Sequence, residues 1–299
     1  MNDFQGKVAA ITGAGSGFGR EFALLGAKLG MRLALSDIEA DALAATVAEL
    51  QDSVDVASDV VDVADSSQVK QWADRTFDRF GAVHLLMNNA GVGGGGYLWE
   101  NTDRDWQWVL GVNLMGVVHG VQQFVPRMLE ANRTGEPAYI VNTASIAGWL
   151  CPPLMGVYNV SKHAVVALSE TLFHDLQTAG STIGVSVLCP AFVPTGIAHS
   201  HRNRPTSLSN DDITASQRKA QSAVEKAVSS GKMTAPEVAQ LTFDAVRANR
   251  FYVFTHPQIL PAVQARFDAV ISGGVPADPY ATRPTARPQA ESHENSAAG

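Results

Sequence analysis

Residues 8–19 have the sequence VAAITGAGSGFG, in which an apolar run is followed by a glycine-rich segment. The apolar run Val8–Thr12 is typical of a buried strand, and residues 20–29 carry apolar side chains at helical spacing. The glycines between them let the backbone turn sharply and come close to a pyrophosphate, whose charge the N-terminus of the next helix favours. The stretch therefore predicts a strand, a phosphate-binding turn and a helix, although a glycine-rich turn without a ligand stays open.

The spacing of the glycines is unusual for such a turn. Gly13, Gly17 and Gly19 match T-G-x-x-x-G-x-G, with Ser16 and Phe18 between them, whereas the usual dinucleotide-binding spacing G-x-G-x-x-G is not met. The glycines alone therefore do not decide whether a dinucleotide binds here.

Outside this stretch, apolar strand-like runs alternate with amphipathic helical segments. Strands are predicted at residues 8–12, 32–37, within 52–63, 83–88, 139–142, 183–189 and 251–255. Helices are predicted at residues 20–29, 39–50, 66–80, 102–129, 158–178, 236–248 and 257–271. Such alternation predicts an α/β fold with a doubly wound parallel sheet (Rossmann-like) in three layers.

Two segments interrupt the alternation. Residues 190–234 are polar and Ser-rich, with a short helix predicted around 216–228, and a connection of this length is usually functional. From residue 273 onward, prolines punctuate a polar segment without apolar periodicity. We expect one domain over residues 1–272 with a substrate lid at about 190–234, and a Pro-rich tail at 273–299 that is disordered or packed on a partner subunit.

Composition excludes several classes of function. The chain has 299 residues and a net charge of −7, so it lacks the positive charge that binding to nucleic acid requires. Its two cysteines, Cys151 and Cys189, are too few for a disulfide scaffold or a zinc site. No signal-peptide-like start and no membrane-spanning apolar run is evident. We expect a cytoplasmic protein that binds neither nucleic acid nor membrane.

Asp37 ends the second predicted strand. A carboxylate at this place can accept hydrogen bonds from the ribose hydroxyls of an adenosine and would repel a 2′-phosphate. Neither Ser16 nor Ile38 offers a positive charge to such a phosphate. The sequence therefore favours NAD over NADP, while Asp37 could at the same time cap the next helix.

The segment Tyr158-Asn-Val-Ser-Lys162 opens a predicted helix after the fifth strand. Residues i and i+4 share a helix face, so the phenol and the ammonium can point into one pocket. A free phenol has a pKa near 10, and a nearby cation lowers it toward the range useful for acid–base catalysis. Alone the pair could be a solvated one, but its place beside the crevice of a doubly wound sheet favours a catalytic role.

The chain resembles the short-chain dehydrogenases/reductases in their single-domain form, over about residues 6–270. The motifs that carry the resemblance occur in order: residues 12–19, Asp62-Val63, Asn88-Asn-Ala-Gly91, Asn113, Ser145, Tyr158 with Lys162, and residues 190–195. Taken singly, Asn113 could be a polar helix residue and Ser145 a turn former. Taken together and in this order, the motifs favour the family.

The resemblance implies a role for each matching residue. Tyr158 would be the general acid/base, Ser145 would hydrogen-bond the substrate oxygen, and Lys162 would hold the nicotinamide ribose and lower the pKa of Tyr158. Asn113 would position a water in a proton relay. The implied cofactor contacts are Gly13, Ser16, Gly17, Phe18, Gly19, Asp37, Asp62, Val63, Asn89, Ala90, Gly91, Tyr158, Lys162, Pro190, Val193 and Thr195. No metal is implied.

The chain departs from the family pattern at three places. Ala191 stands where glycine usually follows Pro190, and Pro194 precedes Thr195, so the nicotinamide loop could be displaced. His84 stands where an acid is common.

Features around the lid are less specific. His199, His201, Arg202 and Arg204 could meet an anionic substrate group or could simply be solvated. Residues 93–96 are expected to form a flexible glycine loop beside the site. The apolar side chains near the catalytic motifs could form a substrate pocket, the core or an interface; they are Trp149, Leu150, Met155, Phe192 and Ile197.

Together these features predict an NAD-dependent alcohol dehydrogenase or ketone reductase that acts on a bulky apolar or aryl secondary alcohol. Residues 251–269 are also loosely similar to relatives that oxidise benzylic alcohols. Two alternatives stay open: a catalytically silent NAD-sensing protein on the same fold, and a reductase of an anionic substrate held by residues 199–204. The resemblance also implies a homotetramer or a homodimer.

Overall fold

The structure is a computed structural model that describes residues 1–50 and 54–281. In this part of the chain, seven parallel strands form one sheet in the order β3-β2-β1-β4-β5-β6-β7. They are β1 (Val8–Thr12), β2 (Arg32–Asp37), β3 (Val56–Val60), β4 (Leu85–Asn88), β5 (Tyr139–Thr143), β6 (Gly184–Cys189) and β7 (Tyr252–Phe254). The strand order reverses between β1 and β4, which confirms the predicted doubly wound α/β sheet.

Helices connect the strands. They are α1 (Gly17–Lys28), α2 (Ala40–Glu49), α3 (Ser66–Phe80), α4 (Asp103–Leu110), α5 (Gly116–Arg133), α6 (Gly156–Thr178), α7 (Ala215–Ser229), α8 (Ala235–Arg247) and α9 (Leu260–Ile271). The backbone divides into two compact units, Met1–Pro257 and a second unit that begins at Gln258. The sheet and the cleft described below belong to the first unit; α9 belongs to the second.

Element bounds agree with the sequence predictions where the local pattern is strong. Strands β1 and β2 and helix α3 have the predicted bounds. The third strand is shorter than the predicted stretch 52–63, of which residues 52 and 53 lie outside the described residues. The long helical region predicted at 102–129 is present as the stretch Asp103–Arg133, in which a π-helical turn at Gly111–Met115 lies between α4 and α5.

Two apolar clusters cover the two faces of the sheet. Alternation along β1 sends Ala9 and Ile11 into the cluster that contains Phe22 of α1 and Phe243 of α8. Val8 and Ala10 instead enter the cluster on the other face, whose largest members are Trp72 of α3 and Phe124 of α5. Since β1 is buried on both faces, its run of apolar residues is continuous rather than alternating.

The helical stretch Asp103–Arg133 is the one stretch among residues 1–50 and 54–281 that is long and apolar enough to cross a membrane. An 18-residue window within it has a mean hydropathy of 1.2, and half of that window is buried within the fold. Phe124 and Met128 belong to the core cluster on one face of the sheet. Core packing therefore accounts for the apolar character of this stretch.

A chain of polar side chains crosses the core between β4, β5 and α6. Asn88 donates to the Asn142 side chain at 2.9 Å, and Asn142 donates to Ser169 at 3.0 Å. Ser169 in turn donates to the carbonyl of Val165 at 2.7 Å. The central residue, Asn142, has no exposed surface, and its side-chain oxygen is the acceptor of the buried Asn88 amide.

We expect Asn142→Ala to lower the free energy of unfolding by about 2–4 kcal/mol, because it leaves the buried side-chain amide of Asn88 without its acceptor and opens a cavity. The measurement is urea unfolding followed by circular dichroism. The exposed Asn2→Ala is the matched control, with an expected change below about 0.5 kcal/mol. Equal stability of the two variants would show that this row of hydrogen-bonded side chains does not stabilise the fold.

Candidate active site

A cavity of about 340 Å³ lies at the carboxyl ends of the strands. Most of the site residues expected from the sequence line it: Gly13, Ser16, Gly17, Phe18, Asp37, Asp62, Val63, Asn89, Ala90, Gly91, Ser145, Tyr158, Lys162, Pro190, Val193 and Thr195. Gly19 and Asn113 are the expected residues that do not line it. The sheet thus brings together motifs from widely separated parts of the chain, as expected for the crevice of a doubly wound sheet.

The glycine-rich turn after β1 is held by close backbone contacts. Gly13 has a φ of +68°, and a Cβ on Gly19 would lie 1.9 Å from the carbonyl oxygen of Gly13. Any side chain at residue 19 would therefore force the turn open. Gly19 does not line the cavity, but its lack of a side chain lets the turn close. Gly13 and Gly17 present their backbone to the cavity.

Asp37, at the end of β2, is 9% exposed and binds the same turn. Its carboxylate accepts the backbone N–H of Gly15 at 2.7 Å and that of Glu39 at 2.9 Å. Burial raises the pKa of Asp37, and these backbone hydrogen bonds oppose that shift. Each carboxylate oxygen has a further acceptor site, so a ribose hydroxyl can still be bound.

Residues after β3 and β4 also line the cavity. Asp62 accepts the N–H of Ala64 at 2.9 Å, which shapes the loop that presents Asp62 and Val63. Asn89 donates its side-chain amide to the carbonyl of Thr12 at 3.1 Å. The side chain of Asn89 is thus engaged in joining two loops, and Ala90 and Gly91 follow it along the cavity.

Ser145, Tyr158 and Lys162 converge at the other end of the cavity. The Ser145 hydroxyl hydrogen-bonds with Tyr158, donates to the carbonyl of Pro190 at 3.3 Å and accepts the N–H of Ala147 at 3.1 Å. Lys162, which is 3% exposed, donates to the carbonyl of Thr143 at 3.0 Å. The helix α6 carries both Tyr158 and Lys162, so the expected i, i+4 arrangement is present.

The pKa values of this group differ from the sequence expectation. Burial raises the pKa of Tyr158, and the hydrogen bond with Ser145 opposes it only in part. Burial also lowers the pKa of Lys162 to about 8. The ammonium lies 5.7 Å from the centroid of the Tyr158 ring and is directed at Thr143, so the expected lowering of the tyrosine pKa by Lys162 is not seen.

Asn113 lies in the π-helical turn behind the cavity and is fully buried. Its amide accepts the N–H of Val92 at 2.7 Å, and donates to the carbonyl of Val92 at 3.0 Å and to Ser161 at 3.1 Å. These bonds join α6 to the loop after β4. Asn113 therefore positions this loop, and the structure does not place its side chain in the cavity.

The segment after β6 closes over the cavity and is held by ion pairs. Arg204 donates to Asp105 of α4 at 2.7 Å and lies 5.2 Å from the centroid of the Trp108 ring. Arg202 pairs with Glu39 at the start of α2. Of the four residues His199, His201, Arg202 and Arg204, Arg202 alone lines the cavity. The sequence did not point to Asp105 and Glu39, because the arginines with which they pair, Arg204 and Arg202, lie far away in the chain.

The five apolar residues noted near the catalytic motifs contribute little to the cavity. Ile197 lines it, but Trp149 donates its indole N–H to the buried Cys189 at 3.2 Å and packs against Tyr252 and Phe254. Leu150, Met155 and Phe192 do not line the cavity either. Further apolar lining comes from the loop after β4, the α4 region, the residue that follows β5 and the segment over the cavity: Val92, Trp108, Val112, Ala144, Leu208 and Val228.

The glycine stretch 93–96 is tightly packed rather than open. A Cβ on Gly95 would lie 2.5 Å from the Cβ of Ala220 in α7 and 2.9 Å from the carbonyl of Leu154. A Cβ on Gly94 would lie 2.9 Å from the Val109 side chain. The expected flexible loop is therefore a surface without side chains, against which α7 and α4 pack.

The departures from the family pattern also have local explanations. Ala191 donates its N–H to Thr255 at 3.2 Å and lines the cavity. His84 accepts the N–H of Val8 at 3.0 Å and contacts Glu136 at 3.3 Å, so it ties the start of β1 to the residues before β4. Burial lowers the pKa of His84, which favours the neutral ring that this acceptor role needs. Pro194 lies close to Gly231 and does not line the cavity.

Comparison with known proteins agrees with this arrangement. The short chain dehydrogenase family model matches residues 7–206. A CLA biosynthesis dehydrogenase/reductase of Lactiplantibacillus plantarum is 35% identical over 281 residues, covering 92% of this chain and 97% of that protein. The C alpha-dehydrogenase of Sphingobium sp. strain SYK-6 is 32% identical over 287 residues, covering 95% of this chain and 92% of that protein.

Among solved structures, a short chain dehydrogenase/reductase from Burkholderia phymatum in complex with NAD has a TM-score of 0.90 and 54% identity. The match covers 93% of this chain and 99% of that chain. Since the likeness extends over nearly the whole of each protein in sequence and in fold, the chain belongs to the short-chain dehydrogenase family of oxidoreductases.

Proposed function

We propose that this oxidoreductase uses NAD to interconvert a bulky apolar or aryl secondary alcohol and its ketone. One observation carries the proposal: a single cavity joins Asp37 and the glycine-rich turn at one end to Ser145, Tyr158 and Lys162 at the other. The NAD complex of the 54% identical structure supports the choice of cofactor.

The residues of the cavity fit a dinucleotide. The backbone of Gly13 and Gly17 provides a surface without side chains beside the N-terminus of α1, where a pyrophosphate is favoured. A Cβ on Gly91 would lie 3.5 Å from the Lys162 ammonium, so the absence of a side chain there keeps that ammonium accessible from the cavity. Asp37 is the carboxylate for the adenosine ribose, and Lys162 is the cation for the nicotinamide ribose.

Bound in this cavity, NAD would supply the hydride acceptor for oxidation of the alcohol, and NADH the hydride donor for reduction of the ketone. The side chains of this chain handle the proton. Tyr158 exchanges it with the substrate oxygen, and Ser145 holds that oxygen by a hydrogen bond. Because burial keeps the pKa of Tyr158 above its ordinary value, the phenol is protonated at neutral pH and is ready to donate in the direction of ketone reduction.

The environment of the catalytic group favours an apolar substrate. Val92, Trp108 and Leu208 line the cavity together with the catalytic residues. The two arginines noted near the cavity, Arg202 and Arg204, are each paired with a carboxylate of the protein. For this reason we do not favour the anionic-substrate alternative.

The binding-protein alternative is weakened by the complete catalytic group. A cofactor sensor has no need for Ser145, Tyr158 and Lys162 to converge in one cavity. A homotetramer or homodimer stays a prediction from the family resemblance, and a cytoplasmic location stays a prediction from composition.

A substrate panel tests the proposed activity directly. Bulky aryl and alicyclic secondary alcohols, short aliphatic alcohols and hydroxy acids are each incubated with NAD or NADP, and absorbance is followed at 340 nm. Turnover of the bulky apolar alcohols with NAD supports the proposal. Turnover of hydroxy acids alone, or NAD binding without any turnover, contradicts it.

We expect Tyr158→Phe to lower kcat at least about 10²-fold while NAD affinity stays within about two-fold, because only the transferred proton is lost. Steady-state kinetics and NADH fluorescence titration measure the two effects. Tyr252→Phe is the matched control, since its hydroxyl bonds Glu170 outside the cavity. Near-native turnover of Tyr158→Phe would remove this residue from the mechanism.

Asp37→Ser should weaken NAD binding and lower the NAD-to-NADP ratio of kcat/KM by about 10²-fold, because it removes an acceptor for the ribose and a charge that repels a 2′-phosphate. Adding Ile38→Arg should move the preference further toward NADP. Asp37→Asn controls for the contact with Gly15, since it keeps an acceptor of the same shape. Equal use of both cofactors by the unmodified protein would show that the ribose assignment of Asp37 is wrong.

A further inference from the structure

A cation reaches the adenosine end of the cavity from the segment that covers it. Arg202 lines the cavity with Ser16, Ile38 and Glu39. A Cβ on Gly196 would lie 3.7 Å from both terminal nitrogens of Arg202 and 4.0 Å from the Ser16 hydroxyl, so the guanidinium lies close to the glycine-rich turn. The sequence offered no positive charge at Ser16 or Ile38, but the fold supplies one.

The guanidinium is held by a carboxylate. Arg202 donates through Nε to Glu39 Oε2 at 3.0 Å, and a second nitrogen also bonds Glu39. The side chain of Asn203 donates to the same carboxylate at 2.8 Å. These bonds lower the pKa of Glu39, so the pair is ionised at neutral pH. Further bonds to the carbonyls of His199 and Gly196 fix the guanidinium in place.

We propose that Glu39 is a second determinant of cofactor choice, which acts by occupying the guanidinium of Arg202. This rests on the proposed NAD dependence and adds a residue to it. Among the described residues lining the cavity, Arg202 and Lys162 are the cationic side chains, and Lys162 lies with the catalytic group. Arg202 is therefore the group that a 2′-phosphate at the ribose would meet.

The chemistry of the pair explains the effect. A guanidinium binds phosphate through two parallel hydrogen bonds, and it binds a carboxylate in the same way. Glu39 thus competes with a 2′-phosphate for Arg202. NAD has a hydroxyl at this place, so it leaves the pair undisturbed. Removing the charge of Glu39 turns Arg202 from a neutralised group into a free phosphate-binding group.

The test compares two nucleotides that differ only in the 2′-phosphate. Calorimetric titration measures the affinity for adenosine 2′,5′-bisphosphate and for 5′-AMP in Glu39→Gln, Arg202→Ala and the double variant. We expect Glu39→Gln to raise the affinity for the bisphosphate about ten-fold or more relative to AMP, and the double variant to lose this gain. Glu136→Gln, which disrupts a surface pair with Lys7, is the control and should show no gain.

Each outcome decides a separate question. A gain in Glu39→Gln that disappears in the double variant supports the proposal. No gain in Glu39→Gln overturns the proposal, because Glu39 would then have no effect on the choice of cofactor. A gain that persists in the double variant also overturns it, because Glu39 would then act by charge repulsion alone. Failure of the unmodified protein to bind AMP would instead contradict the proposed adenosine site, which is the outcome that counts against the proposed function. Thermal unfolding of each variant confirms that it is folded.

Discussion

The hydroxyl of Thr12 holds the two sides of the cavity together. It lies at the end of β1, is 3% exposed, and accepts the backbone N–H of Asn89 at 2.9 Å and of Ala90 at 3.0 Å. Parallel strands β1 and β4 separate beyond this point, because their helices lie on opposite faces of the sheet. Without this link the glycine-rich turn and the loop after β4 would have no fixed separation, and the cavity between them depends on that separation.

The catalytic group is positioned by the same kind of contact between side chain and backbone. Ser145 bonds the carbonyl of Pro190, Lys162 bonds that of Thr143, and Asn113 bonds both backbone groups of Val92. Each contact ties one loop at the carboxyl edge of the sheet to a neighbouring element. A site built in this way is rigid before any ligand binds, because its side chains have already lost their rotational freedom.

The sequence predicted those parts of the molecule that local pattern determines. A run such as Val8–Thr12 is apolar because both faces of its strand are buried, and Tyr158 and Lys162 share a helix face because of the helical repeat. Contacts between distant residues leave no such pattern. Arg202 and Glu39 are 163 residues apart and Arg204 and Asp105 are 99 apart, so neither pair could be read from spacing. The glycines at 93–96 looked flexible because the helix that packs on them lies more than a hundred residues away.

The two ion pairs that hold the segment over the cavity differ in strength. Arg204 and Asp105 are 15% and 8% exposed, and Asn210 also donates to Asp105 at 2.9 Å. Arg202 and Glu39 are 38% and 29% exposed. Breaking a buried pair costs about 3–5 kcal/mol, whereas an exposed pair contributes about 0–1 kcal/mol. The ion pair at α4 therefore stabilises the segment more than the ion pair at α2 does, and it holds the segment beside Trp108 in the apolar wall of the cavity.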